Sequence, residues 1–110
     1  MKVDHKGNST IIRNTQYNTA EFISKLSNEY PTFKDQNLIV DLSFDEQLKL
    51  VDVKSFSDLI KKHRKAKKSF VLVATDFDYN TVPASITLVP SILEAHDIIE
   101  MEEIERDLGF

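Results

Sequence analysis

The sequence predicts a single α/β domain, residues 1–110, with a mixed sheet of about five strands and helices on one side of it. Two short apolar runs, residues 38–40 and 69–74, are rich in Val, Leu, Ile and Phe, which is typical of strands buried on both faces. A helical pattern at residues 52–65 separates them, and a helix between two strands implies a parallel pair with a right-handed crossover. A chain of 110 residues can bury one hydrophobic core but is too short for two domains.

The first two strands are predicted at residues 2–5 and 9–13. Between them lies Lys6-Gly7-Asn8, which indicates a tight turn because Gly and Asn tolerate positive φ. The first strand alternates only weakly between apolar and polar side chains, which favours a place at the sheet edge. Ile11 and Ile12 give the second strand a stronger signal, because β-branched residues prefer strands.

The first helix is predicted to begin at Ala20, with Asn18-Thr19 as its cap and Glu21 in its first turn. Pro31 is predicted to end it, because the residue before a proline disfavours the helical region. Four apolar residues recur at helical spacing and form the expected buried face: Phe22, Ile23, Leu26 and Tyr30.

The centre of the predicted fold is the strand at residues 37–43 and the turn after it. Asp41 and Ser43 end this strand at the carboxyl edge of the sheet, where α/β folds usually place ligands and switches. Residues 44–50 fit neither a helix nor a strand pattern, and a helix is then predicted from Asp52, which acts as its N-cap. Its buried stripe comprises Val53, Phe56, Leu59, Ile60 and His63.

Residues 75–84 predict a polar loop with at most one short turn, in which Phe77 and Tyr79 either anchor an interface or fold back onto the sheet edge. Residues 85–89 predict the last strand. Ser91 then caps a final helix, with Glu94 three residues later, and Gly109 ends it. The predicted order is β-β-α-β-α-β-β-α. The apolar positions of the final helix are Ile92, Ala95, Ile98, Ile99, Met101, Ile104 and Leu108.

The composition excludes several classes of function. The absence of cysteine excludes disulfides and thiolate chemistry, and two glycines are too few for a Gly-rich phosphate loop. No apolar run approaches the roughly 20 residues that span a bilayer, and the first residues lack the apolar segment of a signal peptide. We therefore expect a cytoplasmic protein without a cofactor and without a membrane partner.

The formal net charge of -4 is unevenly distributed along the chain. Basic residues concentrate at the end of the helix predicted from Asp52, and acidic residues concentrate in the final helix. Such asymmetry favours contacts with other molecules over catalysis. The basic run comprises Lys61, Lys62, Arg64, Lys65, Lys67 and Lys68, and the acidic run comprises Glu94, Asp97, Glu100, Glu102, Glu103, Glu105 and Asp107.

Four segments carry a resemblance to a known family: residues 38–43 (LIVDLS), 53–65, 70–73 and 88–95 (LVPSILEA). In these residues and in the order of its elements, the chain resembles the STAS domain family (sulfate transporter and anti-sigma factor antagonist) over nearly its whole length. The resemblance implies a STAS-like fold and a small, non-enzymatic regulatory domain that docks to another protein.

The chain departs from that family at its switch. STAS domains carry an Asp-Ser-Ser-Gly turn in which a partner kinase phosphorylates a serine, and the corresponding residues here are Lys49-Leu50-Val51-Asp52. Because no hydroxyl stands at this position, we expect no phosphorylation switch there. The family's short helix between the fourth and fifth strands also has no counterpart in residues 75–84.

The last helix carries a second, narrower likeness. Residues 94–108 (EAHDIIEMEEIERDL) resemble the end of short bacterial proteins labelled ribonuclease Z. Nucleases of the metallo-β-lactamase type need a His-x-His-x-Asp-His motif, whereas His5, His63 and His96 are far apart in this sequence. The likeness therefore implies association with such a nuclease and not its activity.

Two regions are candidates for protein binding. One is the turn after the central strand, whose polar residues either satisfy backbone groups or contact a partner. The other is the last helix, which either docks fully on the domain or leaves an apolar surface for an unidentified protein or a homodimer partner. The candidate residues are Ser43, Asp45, Lys49, Asp52 and Ser55 in the turn, with Ser57 as a further hydroxyl, and Glu100, Glu103, Arg106 and Phe110 in the last helix.

The basic run offers an alternative function. Lys61, Lys62, Arg64, Lys65, Lys67 and Lys68 either form a solvated helix end that complements the helix dipole or contact RNA as part of an RNA-processing accessory protein. The overall acidity and the lack of interleaved aromatic residues count against RNA. Asp76-Phe77-Asp78 lacks a third ligand for a cation, and the three histidines show no metal-ligand spacing, no nucleophile and no paired base. We therefore predict no catalytic and no metal site.

Overall fold

The computed structural model describes residues 1–15 and 18–109. In this part of the chain, the strands are β1 (Lys2–Lys6), β2 (Ser9–Arg13), β3 (Asn37–Asp41), β4 (Phe70–Val73) and β5 (Leu88–Val89). The α-helices are α1 (Thr19–Phe33), α2 (Leu50–Lys54), α3 (Ser57–Lys65) and α4 (Ile92–Asp107), and Tyr79–Thr81 form one turn of 3-10 helix.

The described strands form one mixed sheet in the order β1-β2-β3-β4-β5. The β1–β2 pair is antiparallel and turns through Gly7, whose φ of 61° lies in the left-handed region that glycine adopts without strain. The remaining neighbours are parallel, and Ile39 of β3 lies opposite Ile11 of β2 and Val71 of β4. The predicted α/β class, the mixed sheet and the parallel pairing of the two apolar runs are confirmed.

Helices cover both faces of the sheet, so the prediction of helices on one side was wrong. Leu38, Val40 and Leu72 face a core that contains the apolar residues of α1, α2 and α3. The alternate residues Ile39 and Val71 face a second core, formed with Ala95 and Ile99 of α4. The physical reason lies in the strands themselves, because consecutive apolar residues point to opposite faces and each face needs a cover.

The sequence predicted that helix α1 ends at Pro31, but the helix continues to Phe33. Pro31 is exposed, while Tyr30 and Phe33 extend the buried stripe of Phe22 and Leu26. A proline inside a helix costs about 3 kcal/mol. Burial of the Phe33 side chain beyond it contributes roughly 1.5–3 kcal/mol, which is comparable to that cost and offsets most of it.

The helix predicted from Asp52 is divided into α2 and α3, with Ser55 and Phe56 between them. Asp52 is not its N-cap, because α2 begins two residues earlier and the Asp52 carboxylate accepts a 2.9 Å hydrogen bond from the backbone N–H of Lys49. The predicted stripe is nevertheless confirmed, since all its members are buried: Val53, Phe56, Leu59, Ile60 and His63.

The C-terminal third follows the prediction closely. The loop contains one short turn, although β5 is shorter than predicted at two residues. The backbone N–H of Glu94 donates a 3.2 Å hydrogen bond to Ser91 Oγ, and Gly109 follows the helix with a φ of 83°. Among the described residues, no helix is long and apolar enough to cross a membrane.

Candidate functional site

The turn after β3 is held by hydrogen bonds within the chain. The backbone N–H of Ser43 donates to Asp41 Oδ1 at 2.9 Å. Asp45 is only 8% exposed, and its two carboxylate oxygens accept hydrogen bonds from the Thr19 hydroxyl and from the backbone N–H of Gln47. Asp45 therefore fixes the turn against the start of α1, and its carboxylate is occupied inside the domain.

A cavity of about 320 Å³ lies at this carboxyl edge, where β3 and β4 end. Its charged residues are acidic, so it does not suit an anionic ligand. The residues from 1 to 15 and 18 to 109 contain no cluster of three or more His, Asp or Glu arranged to hold a metal ion. The residues that line the cavity at the carboxyl edge are Leu42, Ser43, Asp45, Glu46, Leu48, Ala74, Thr75, Asp76 and Phe77.

The two aromatic residues of the following loop fold back onto the sheet edge, as one of the two interpretations predicted. The Tyr79 hydroxyl donates a 2.5 Å hydrogen bond to the carbonyl oxygen of Ala74, just beyond β4. Phe77 packs, partly buried, against the core under α1 to α3. Asp78 caps the short turn by accepting from the backbone N–H of Asn80 at 3.1 Å. These residues stabilise the loop.

The residues that the sequence comparison set against the STAS switch, 49–52, lie at the start of α2. Lys49 stands at its N-cap, and Asp52 satisfies the Lys49 backbone as described above. Ser55 is exposed, but its hydroxyl donates a 2.8 Å hydrogen bond to the carbonyl oxygen of Val51. The Ser57 hydroxyl donates in the same way to the carbonyl oxygen of Lys54 at 2.7 Å. Both serine side chains bond to the backbone of this short helix.

The inner face of α4 is tied to the amino ends of β3 and β4 by a polar network. Asn37 Nδ2 donates to Glu103 at 2.6 Å, and Arg106 Nη2 donates to the same carboxylate at 2.9 Å. Arg106 also donates to Ser69 Oγ at 3.1 Å, and that hydroxyl donates to Glu102 at 2.5 Å. The hydrogen bonds from Asn37, followed by those from Arg106, lower the pKa of the Glu103 carboxyl.

Two of the candidate residues in the last helix therefore hold the fold together. Glu103 and Arg106 face the sheet, whereas Glu100 is exposed. Phe110, the remaining candidate, lies outside the described residues. The network was not predicted, because it joins residues as far apart in sequence as Asn37 and Arg106, and short polar motifs carry no signal for such contacts.

The outer face of α4 carries a row of exposed apolar side chains, which we call the outer stripe: Leu93, Met101, Ile104 and Leu108. Their exposed fractions are 72%, 61%, 58% and 67%. Together with Asp97 they lie at intervals of three or four residues, so they share one face of the helix. Exposed carboxylates border the stripe on both sides, from Glu94 and Glu105 on one and from Glu100 and Asp107 on the other.

The structure brings the basic run and the acidic helix together at one end of the domain. A groove of about 430 Å³ is lined by Arg64, Lys67 and Lys68 from the basic run and by Glu102, Glu105, Arg106 and Gly109 from α4. Two side chains of the run contact other elements of the domain. Lys62 Nζ lies 5.4 Å from the centroid of the Tyr30 ring on α1, and Arg64 Nη2 lies 3.4 Å from Thr87 Oγ1.

The most buried ionisable group is His63, which is 0% exposed. Its Nε2 lies 2.6 Å from the carbonyl oxygen of Gln36, so this nitrogen carries the proton and donates. Nδ1 is then free to accept from the Tyr30 hydroxyl at 2.7 Å. Burial lowers the pKa of the imidazole, and the nearby Lys68 charge adds to the effect, against the hydrogen bond to Gln36. His63 is a neutral, fully bonded core residue.

Comparisons with known proteins add no assignment. The sequence matches no protein-family model, and no curated protein is similar enough to be counted as a relative.

Proposed function

We propose that this chain is a non-enzymatic STAS-like interaction module of the bacterial cytoplasm, without a phosphorylation switch, which docks to another protein through α4. The observation that carries the proposal is the outer stripe. Single exposed apolar residues are ordinary on protein surfaces, but several large ones along one helix face, bordered by charge, are typical of interaction sites. Here four such side chains, each more than half exposed, follow one helix.

Several described side chains of types that perform chemistry have structural roles in this domain, which supports a role without catalysis. The Asp45 carboxylate accepts from Thr19 and Gln47, and both nitrogens of His63 are hydrogen-bonded in the core. The hydroxyls of Ser55 and Ser57 bond to backbone carbonyl oxygens in the region where the STAS switch would lie. These contacts support docking in place of a phosphorylation switch.

The test compares two single substitutions, one on each candidate surface. Ile104→Glu places a charge in the outer stripe, and Val51→Glu places one beside the turn, where Val51 is 66% exposed. We expect one protein to be recovered in stoichiometric amount from a lysate of the source cells, lost with Ile104→Glu and retained with Val51→Glu. Loss with Val51→Glu alone would transfer the function to the turn. Equal recovery with both variants would contradict docking through either surface.

An RNA-processing accessory role is the second candidate, and the gathering of Arg64, Lys67 and Lys68 with Arg106 around one groove favours it. Glu102 and Glu105 line the same groove and weaken its attraction for phosphate, so we rank the RNA-processing role second. RNA binding that weakens steeply with salt and is abolished by Arg64→Glu with Lys67→Glu, two residues that line the groove, would support this function over the first. We expect no such binding.

A further inference from the structure

We infer that the partner protein binds the outer stripe through a basic amphipathic helix. This inference rests on the proposed docking function and specifies the chemistry of its partner. Asp97, Met101, Ile104 and Leu108 are spaced by four, three and four residues, the interval at which one helix packs along another. At 1.5 Å per residue, α4 is about 24 Å long, so a partner helix of about four turns would match it.

The charges beside the stripe decide between a foreign helix and a second copy of this chain. Glu105 lies on one side, and Glu100 and Asp107 lie on the other, all of them exposed. Two copies of α4 would therefore set carboxylate against carboxylate in both parallel and antiparallel pairings, which is unfavourable. On α4 itself the only lysine or arginine is Arg106, which lies on the inner side and is directed to Glu103 and Ser69. Lys6 of β1 lines a cavity with Leu93, Asp97 and Glu100 at the amino end of the stripe, and the carboxylates farther along the helix have no such neighbour from β1 in that cavity.

Asp97 gives the clearest indication of what the partner carries. Its exposed carboxylate lies in line with the stripe, between Leu93 and Met101. An apolar partner residue at this point would bury the charge without compensation, whereas a lysine or arginine would pair with it. The complementary surface is thus a helix with leucine-like residues along its centre, a cation opposite Asp97, and lysines or arginines on both flanks.

The inference is tested on the full chain with two synthetic helical peptides of about 18 residues. Both carry leucines at heptad spacing, and the flanking positions are lysine in one and glutamate in the other. We expect the lysine peptide alone to bind in fluorescence anisotropy titrations, and its binding to weaken as salt rises. Met101→Ser with Ile104→Ser should weaken it by about tenfold or more, while Val51→Ser, at an exposed apolar site away from α4, should leave it unchanged.

Equal binding of both peptides, or binding unaffected by the Met101→Ser and Ile104→Ser pair, would overturn the inference. So would a dimer in sedimentation equilibrium that Ile104→Glu dissociates, since this would identify a second copy as the occupant. If a cellular partner is lost with Ile104→Glu but the lysine peptide does not bind, this inference fails and the docking function stands. If the cellular partner is unaffected by Ile104→Glu, the docking function itself fails.

Discussion

At the scale of single residues, His63 makes the clearest prediction. Its pKa is lowered from the usual 6.5, chiefly by burial. Between the folded-state pKa and about pH 6.5, the His63 imidazole therefore binds a proton more readily in the unfolded chain than in the folded chain. The stability that depends on neutral His63 is therefore fully present above about pH 6.5 and is lost as the pH falls through the lower folded-state pKa. Urea unfolding at a series of pH values between 8 and 5 should show a free energy of unfolding that declines on the acid side.

NMR titration of the His63 ring in the native protein provides the direct check, and a pKa at or above the usual value would contradict the prediction. His63→Gln removes the titrating group and should flatten the decline in stability between about pH 6.5 and 5. His5→Gln, at an exposed position of β1, is the matched control, and with this variant the decline should persist.

The burial of residues that recur at helical spacing could be predicted from the sequence. The roles of residues that form hydrogen bonds with distant parts of the chain could not. The stripe from Val53 to His63 could be identified from its spacing alone, because helical geometry places its members on one face. Asp45 gave no such signal, since its role depends on Thr19, which lies 26 residues earlier in the chain. The contact of Asn37 with Glu103 spans 66 residues and was equally invisible.

At the scale of elements, the attachment of α4 to the sheet depends on Asn37. This side chain is 2% exposed, donates to Glu103 and accepts from the backbone N–H of Ser69 at 3.0 Å. Asn37→Ala would leave that buried N–H and the Glu103 carboxylate without these partners, at a cost of about 2–3 kcal/mol. Chemical denaturation should detect the loss. Asn28→Ala, at an exposed position of α1, should change stability by less than about 0.5 kcal/mol, and an equally small effect of Asn37→Ala would contradict the prediction.

The sequence predicted which elements exist better than it predicted where they end or which face they cover. Apolar runs identified β3 and β4, but a strand buried on both faces does not indicate which helix covers each face. The end of α1 depends on whether burial of Phe33 offsets the free energy that Pro31 costs the helix. Helix propensity reports the cost of the proline but not the gain from burial. The division into α2 and α3 has the same origin, because one apolar stripe fits both a continuous and a divided helix.

At the scale of the whole molecule, the inner side of α4 contributes to the hydrophobic core, whereas its outer side contributes little to folding. The inner side buries Ala95 and Ile99 against the sheet, whereas the outer stripe remains mostly exposed. Apolar side chains that stay exposed in the folded state contribute little to folding, since burial is the source of the hydrophobic free energy. Folding alone thus does not account for four large apolar residues on the outer face.

Replacement of Leu93, Met101, Ile104 and Leu108 by glutamine together should therefore change the free energy of unfolding by less than about 1 kcal/mol, because glutamine also favours helices. Ile99→Gln, at a position that is 1% exposed, is the matched control and should cost more than about 3 kcal/mol. Urea unfolding followed by circular dichroism compares the two variants. If the fourfold variant were as unstable as Ile99→Gln, the outer stripe would belong to the core of the folded domain, and docking through it would be untenable. A stable fourfold variant that no longer binds the lysine-flanked peptide would assign the stripe to recognition alone.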